Sequence, residues 1–153
     1  MKQNTIVFPT DFSHASDAVL LHAESLAKQQ DAELLIVHVE EPPLAYGGGE
    51  LYYGIPEPSS EHILAMLERV TPTEKSLTFT RLLLLGDPAS EIVRIADERK
   101  ADMIVLGTHG RTGLTRMLMG SVAESIVRRA PCPVLVYRET NEQLTARKPS
   151  ATP

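Results

Sequence analysis

Met103-Ile104-Val105-Leu106-Gly107-Thr108-His109-Gly110-Arg111-Thr112-Gly113-Leu114-Thr115-Arg116-Met117-Leu118-Met119-Gly120-Ser121 is the segment from which the rest of the chain is best approached. It begins as an apolar run of strand length and ends where a helical pattern, Val122 through Ala130, begins. It therefore joins a buried strand to a helix. The join contains four glycines, two arginines and several hydroxyls. A connection this long inside a compact domain is usually functional. Glycine lets the backbone approach a ligand closely. A helix N-terminus offers unbonded N–H groups and the positive end of the helix dipole. Together these parts suit an anion, above all a phosphate. Two common phosphate templates do not fit. No Gly-Lys pair exists for a P-loop, and no three-glycine turn follows the first strand.

The flanks of this segment define the other elements. On its C-terminal side, Val122, Ala123, Ile126, Val127 and Ala130 are expected on one buried helical face. Pro131-Cys132-Pro133 stops that helix, and Val134-Leu135-Val136-Tyr137 reads as a strand. On its N-terminal side, Asp87 is expected to cap a helix with Pro88 at its first position and Ile92, Val93 and Ala96 buried. Residues 77–85 read as a strand whose first half alternates, which suits a position near a sheet edge. A short helix carries Ile63, Leu67 and Val70, with Ser59 or Ser60 as its cap. Residues 40–58 form a long loop with Tyr46, Tyr52 and Tyr53, either a lid or an excursion. Leu34-Leu35-Ile36-Val37-His38-Val39 is apolar on both faces, as a central parallel strand should be. Before it, Ser13 caps a helix that buries Ala15, Ala18, Val19, His22 and Leu26. Residues 5–9 form the first strand.

Five strands alternating with four helices predict an α/β fold, a five-stranded parallel sheet with helices on both faces. Right-handed crossovers leave few topologies, and the order 3-2-1-4-5 puts the alternating third strand at an edge. That order reverses direction between strands 1 and 4. Ligands bind beyond the carboxyl ends of strands at such a switch point. Pro9-Thr10-Asp11 and the glycine segment, about a hundred residues apart, would then face one crevice. The fifth strand, Val134-Leu135-Val136, would lie at the other edge although it is apolar on both sides. An uncovered apolar edge invites pairing, so a homodimer through this strand is expected.

Composition bounds the rest. The chain has 153 residues, 42% of them hydrophobic and 23% charged, which suits one soluble domain with a sizeable core. Its net charge of −5 argues against nucleic-acid binding by bulk charge. Cys132 is the single cysteine, so no internal disulfide can form and a reducing, cytoplasmic setting is expected. Met1 to Thr5 leads straight into a strand, with no fit to a signal peptide, and no run of ~18 apolar residues is available for a membrane span. Residues 1–138 are expected to form the domain, followed by a polar, disordered tail at 139–153.

Five segments carry a family resemblance. Pro9-Thr10-Asp11-Phe12-Ser13, His38-Val39, Gly107-Thr108-His109-Gly110-Arg111, Gly120-Ser121-Val122-Ala123-Glu124 and Pro131-Cys132-Pro133-Val134-Leu135-Val136 occur in order over residues 3–138. In this the chain resembles a single-domain universal stress protein of the ATP-binding branch. The resemblance implies a Rossmann-like fold of the adenine-nucleotide alpha-hydrolase kind. It also implies ATP, with Mg2+, as the ligand. Asp11 would accept a hydrogen bond from the ribose hydroxyls, Val39 would offer backbone groups to the adenine edge, and Pro9 and Thr10 would belong to the same binding site. Gly107, His109, Gly110 and Arg111 would line the phosphates, and Gly120, Ser121, Val122 and Ala123 would hold them at the helix N-terminus. The second helix is short and the loop before it long, a departure on the adenine side.

Other features read as structural. His109 has no evident orienting carboxylate for a catalytic role. His22 sits on an apolar stripe as a core histidine, His14 and Asp17 are too few for a metal site, and Cys132 lacks a CxxC partner. The leading expectation is a nucleotide-dependent regulatory dimer that contacts an unidentified protein partner. The alternatives are a slow ATPase or phosphoryl- or nucleotidyl-transferring enzyme, and a scaffold that has lost nucleotide binding.

Overall fold

A computed structural model describes residues 2–42, 60–108 and 119–138. The 40–58 loop from 43 onward, most of the glycine segment and the 139–153 tail lie outside the described residues. The elements run β1 (Asn4–Pro9), α1 (His14–Gln30), β2 (Ala32–Glu40), α2 (Ser60–Arg69), β3 (Phe79–Leu85), α3 (Pro88–Glu98), β4 (Met103–Gly107), α4 (Ser121–Arg129) and β5 (Val134–Tyr137). They build one parallel sheet in the order β3-β2-β1-β4-β5, as expected from the alternation of strands and helices.

Side chains alternate across a strand, so each central strand feeds two cores. Ile6, Phe8, Leu34, Ile36 and Val105 meet Val19, Leu20, Ala23 and Ala27 of α1 and Leu67 of α2. Val7, Leu35, Val37, Ile104 and Leu106 meet Ala89, Ile92, Ile95 and Ala96 of α3 and Ala123 and Ile126 of α4. Strand β3 lies at one edge, and its residues are half-buried or exposed, in line with its alternating sequence. Strand β5 lies at the other, with Leu135 41% exposed. No described helix is long and apolar enough to cross a membrane.

The buried faces of three helices differ from expectation by a fraction of a turn. In α1 the buried set is Ala18, Val19, Leu20, Ala23, Glu24 and Ala27, while His22 is exposed and stacks on Tyr137 with ring centroids 3.9 Å apart. The stripe is thus rotated by about one residue, because Glu24 finds partners inside. Its carboxylate, 4% exposed, accepts bonds from the Thr73 N–H, the Thr73 hydroxyl and the Glu74 N–H at 2.9–3.2 Å. Glu74 in turn takes a bond from Lys28 Nζ at 2.8 Å. That bond, with help from Ser76, lowers its pKa to about 2. These contacts tie the approach to β3 onto α1. In α3 it is Ile95 that completes the stripe with Ala89, Ile92 and Ala96, while Val93 is half-buried. In α4 Ala123 and Ile126 are buried, and Val122 and Val127 flank them at 43% exposure each. A nine-residue helix on a flat sheet cannot bury so wide a face.

Two of the three expected caps form; for the third, Ser60 is the first residue of α2 and Ser59 lies outside the described residues. Ser13 Oγ accepts from Ser16 N at 3.2 Å at the start of α1. Asp87 Oδ2 accepts from Ser90 N at 3.0 Å at the start of α3, with Pro88 in the first turn. Bonds from the Ser90 hydroxyl first, then its N–H, hold the Asp87 carboxyl below the usual carboxylate range. A pKa lowered by folding contributes stability at neutral pH that is lost as pH falls through the folded value. Asp87→Ala should therefore cost about 1 kcal/mol at pH 7 in urea unfolding. The gap to the wild type should close below the ordinary carboxylate range.

Candidate functional site

The site begins where two strands part. β1 and β2 stay in register from Asn4↔Ala32 to Pro9↔Val37, and Thr10 N extends the ladder to Val37 O at 2.8 Å. β1 and β4 pair through only Ile6↔Met103 and Val7↔Ile104. Beyond that point the connections leave in opposite directions, toward α1 from β1 and toward α4 from β4. The parting lies at the carboxyl end of the sheet, at the switch point expected for this topology.

One wall is the turn after β1. Thr10 is 6% exposed and its hydroxyl accepts from Phe12 N at 3.1 Å. Asp11 folds its carboxylate toward the start of α1. Oδ1 accepts from Ser13 N at 3.0 Å, Ser13 Oγ at 2.5 Å and Ser16 Oγ at 2.7 Å. Asp11 thus organises the helix start while standing at the strand end, so the capping role and a ligand role share one residue.

The opposite wall is the β4–α4 connection. Gly120 N donates to Thr108 O at 2.6 Å, which pins the first residue before α4 onto the first residue after β4. Thr108 N donates to Tyr137 O at 3.1 Å, and the residue is 8% exposed. The exit of β4 and the entry to α4 are therefore held side by side. At Gly120 the backbone has φ −70° and ψ 161°, with no side-chain bond capping the helix. α1 and α3 each have such a bond, from Ser13 and Asp87. The N–H groups of Ser121, Val122 and Ala123 at the start of α4 thus get no side-chain acceptor at the cap, an arrangement suited to an anion. The Glu124 carboxylate in that first turn is offset by Arg128 Nη2 at 2.6 Å.

Val39 supplies the third side. Backbone groups alternate sides along a strand. Val37 O faces β1 and takes Thr10 N, whereas Glu40 O faces β3 and takes Gly86 N at 2.9 Å. Val39 therefore directs its N–H and C=O toward the β1 side, past the end of β1.

Of the residues singled out from sequence, Pro9, Thr10, Asp11, Val39, Gly107, Gly120, Ser121, Val122 and Ala123 all lie at this end of the sheet. His109, Gly110 and Arg111 lie outside the described residues. Sequence reasoning missed Thr108 and the side chain of His38, whose Nδ1 is 2.7 Å from Thr10 O. The available signal for His38 was a lone histidine near the end of an otherwise apolar strand. Among the described residues no three His, Cys, Asp or Glu side chains come together to hold a metal ion. His14 and Asp17 lie 3.8 Å apart on the surface.

The universal stress protein family model matches residues 3–138. A universal stress protein of Methanocaldococcus jannaschii is 38% identical over 143 residues, which span 90% of this chain and 84% of that relative. A universal stress protein solved in complex with cAMP superposes with a TM-score of 0.65 at 25% identity, covering 90% of this chain and 98% of that one. A universal stress protein of Archaeoglobus fulgidus solved in complex with dAMP gives 0.64 at 25% identity, covering 89% and 98%.

The carboxylate network makes a prediction that needs no ligand. Asp11→Ala removes the acceptor of three bonds and should cost about 1–2 kcal/mol in urea unfolding. Asp11→Asn keeps Oδ1 as an acceptor and should cost less than half as much.

Proposed function

The chain belongs to the universal stress protein family, and we propose that it binds ATP in the crevice between β1 and β4 and acts as a nucleotide-dependent regulatory homodimer. The observation that carries the proposal is the start of α4. It lacks a side-chain cap and is pinned by the Gly120–Thr108 bond beside the β1 turn. Two related structures, with cAMP and with dAMP, lend support, since both ligands are adenine nucleotides.

In this reading Val39 pairs its backbone N–H and C=O with the adenine edge. Asp11 accepts from the ribose hydroxyls while Oδ1 stays bonded to Ser13 and Ser16. Pro9 and Thr10 form the floor. Gly120, Ser121, Val122 and Ala123 receive the phosphates at the helix N-terminus, where the dipole favours negative charge. Gly107, His109, Gly110 and Arg111 complete the phosphate side. Mg2+ accompanies the phosphates rather than a cluster of protein ligands. Dimerisation uses the outer edge of β5, where Leu135 is exposed between the half-buried Val134 and Val136. The domain is residues 1–138, it works in the cytoplasm, and the nucleotide state alters its contact with a protein partner.

Gly120 provides the test. Its φ of −70° is open to any residue, so valine there adds bulk at the phosphates without forcing the backbone. Gly120→Val should abolish the calorimetric heat of Mg-ATP binding and the rise in melting temperature that ATP confers on the wild type. The dimer should persist in light scattering. Unchanged ATP affinity in the variant would overturn the phosphate placement, and a wild type that neither releases nucleotide on denaturation nor responds to Mg-ATP would overturn ATP binding itself.

A further inference from the structure

We propose that His38 is a positioning residue for the turn after β1, a role that rests on that turn being part of the nucleotide site. His38 lies on the same face of β2 as Leu34 and Ile36 and is 8% exposed. Its Nδ1 stands 2.7 Å from Thr10 O, on the neighbouring strand's exit. A carbonyl only accepts, so Nδ1 carries the proton. It does so in one neutral tautomer and in the imidazolium alike. The bond is therefore kept when the ring takes up a proton.

The turn it holds is strained. Phe12 has φ 65°, a left-handed conformation that is an outlier for a bulky residue. Such a conformation persists only where the surroundings over-determine it. Here they do so through Phe12 N to Thr10 Oγ1 at 3.1 Å, through Ser13 N to Asp11 Oδ1 at 3.0 Å, and through His38. The imidazole bonds Thr10 O and lies against the Phe12 ring, centroids 4.2 Å apart. Of these restraints, His38 comes from a separate strand. It fixes the turn relative to β2, and hence Asp11 relative to the Val39 backbone next to it in the chain. Together with the Thr10 N–Val37 O bond, the His38 side chain in this way sets the distance between the ribose and adenine contacts.

The experiment compares His38→Asn, His38→Gln and His38→Leu. An Asn amide N–H reaches about where Nδ1 stands, a Gln amide about where Nε2 stands, and Leu donates nothing. Two readouts are taken, Mg-ATP affinity by calorimetry and hydrogen exchange of the Phe12 and Ser13 amides by NMR. His38→Asn should stay within about threefold of the wild type in both, and His38→Leu and His38→Gln should bind ATP on the order of tenfold more weakly with similarly faster exchange at those two amides. If His38→Leu does not fold, the contrast between Asn and Gln decides. Equal behaviour of Asn and Gln, or an Asn variant that fails to fold, overturns the role. If the wild type takes up no ATP, the reading of the crevice fails, and the exchange rates alone still decide whether His38 positions the turn.

Discussion

Hydrogen bonding between β1 and β4 ends at Val7 and Ile104, while β1 and β2 remain bonded through Thr10. The rest of the molecule follows from that asymmetry. β1 is flanked by strands whose helices lie on opposite faces, α1 and α2 on one side and α3 and α4 on the other. A right-handed crossover from β1 must leave toward one face, and the chain leaving β4 must go to the other. The two connections cannot continue the ladder between them. The parting of β1 and β4 is thus a consequence of covering both faces of a parallel sheet.

Polar groups left at such an opening are costly unless satisfied. The structure meets this with a small set of buried or half-buried side chains. Thr10 uses its N–H, hydroxyl and carbonyl, toward Val37, Phe12 and His38. Thr108 uses its N–H toward Tyr137 and its carbonyl toward Gly120. Asp11 gathers Ser13 and Ser16. At the start of α4 the cap residue, Gly120, makes no side-chain bond. Among the described residues, α1 and α3 thus start on a side-chain cap, while α4 starts on a glycine that can supply none.

The same economy is seen away from the crevice. Glu24 is a buried carboxylate on a helix face that packs against the sheet, made tolerable by Thr73 and Glu74. It anchors the segment before β3, an edge strand with β2 as its one neighbour. The opposite edge, β5, is four residues long and among the described strands pairs only with β4. Short edge strands limit unwanted pairing, yet Leu135 remains 41% exposed there.

Element order, strand identity and the caps were legible in the sequence because each depends on neighbours a few residues apart. Apolar runs marked β1, β2 and β4, and Asp87-Pro88 and Ser13 marked helix starts. The alternation of strands and helices limited the topology to the order observed. The glycine segment and Gly120-Ser121 raised the expectation of an anion site for the same local reason. Other features depended on contacts across the chain. For α1, two overlapping stripes fit a helical period. The sequence reading took the one containing His22, whereas Glu24 lies on the buried one, its carboxylate held by Thr73, 49 residues on. Likewise the link from His38 to Thr10 spans 28 residues and depends on how far β2 outruns β1. By itself the sequence determined which segments are strands and helices and how they alternate, since backbone propensity and periodicity are local. The tertiary structure alone decided which polar side chains are buried, where β1 and β4 part, and which groups hold the β1 turn, because those outcomes depend on partners that only folding brings within bonding distance.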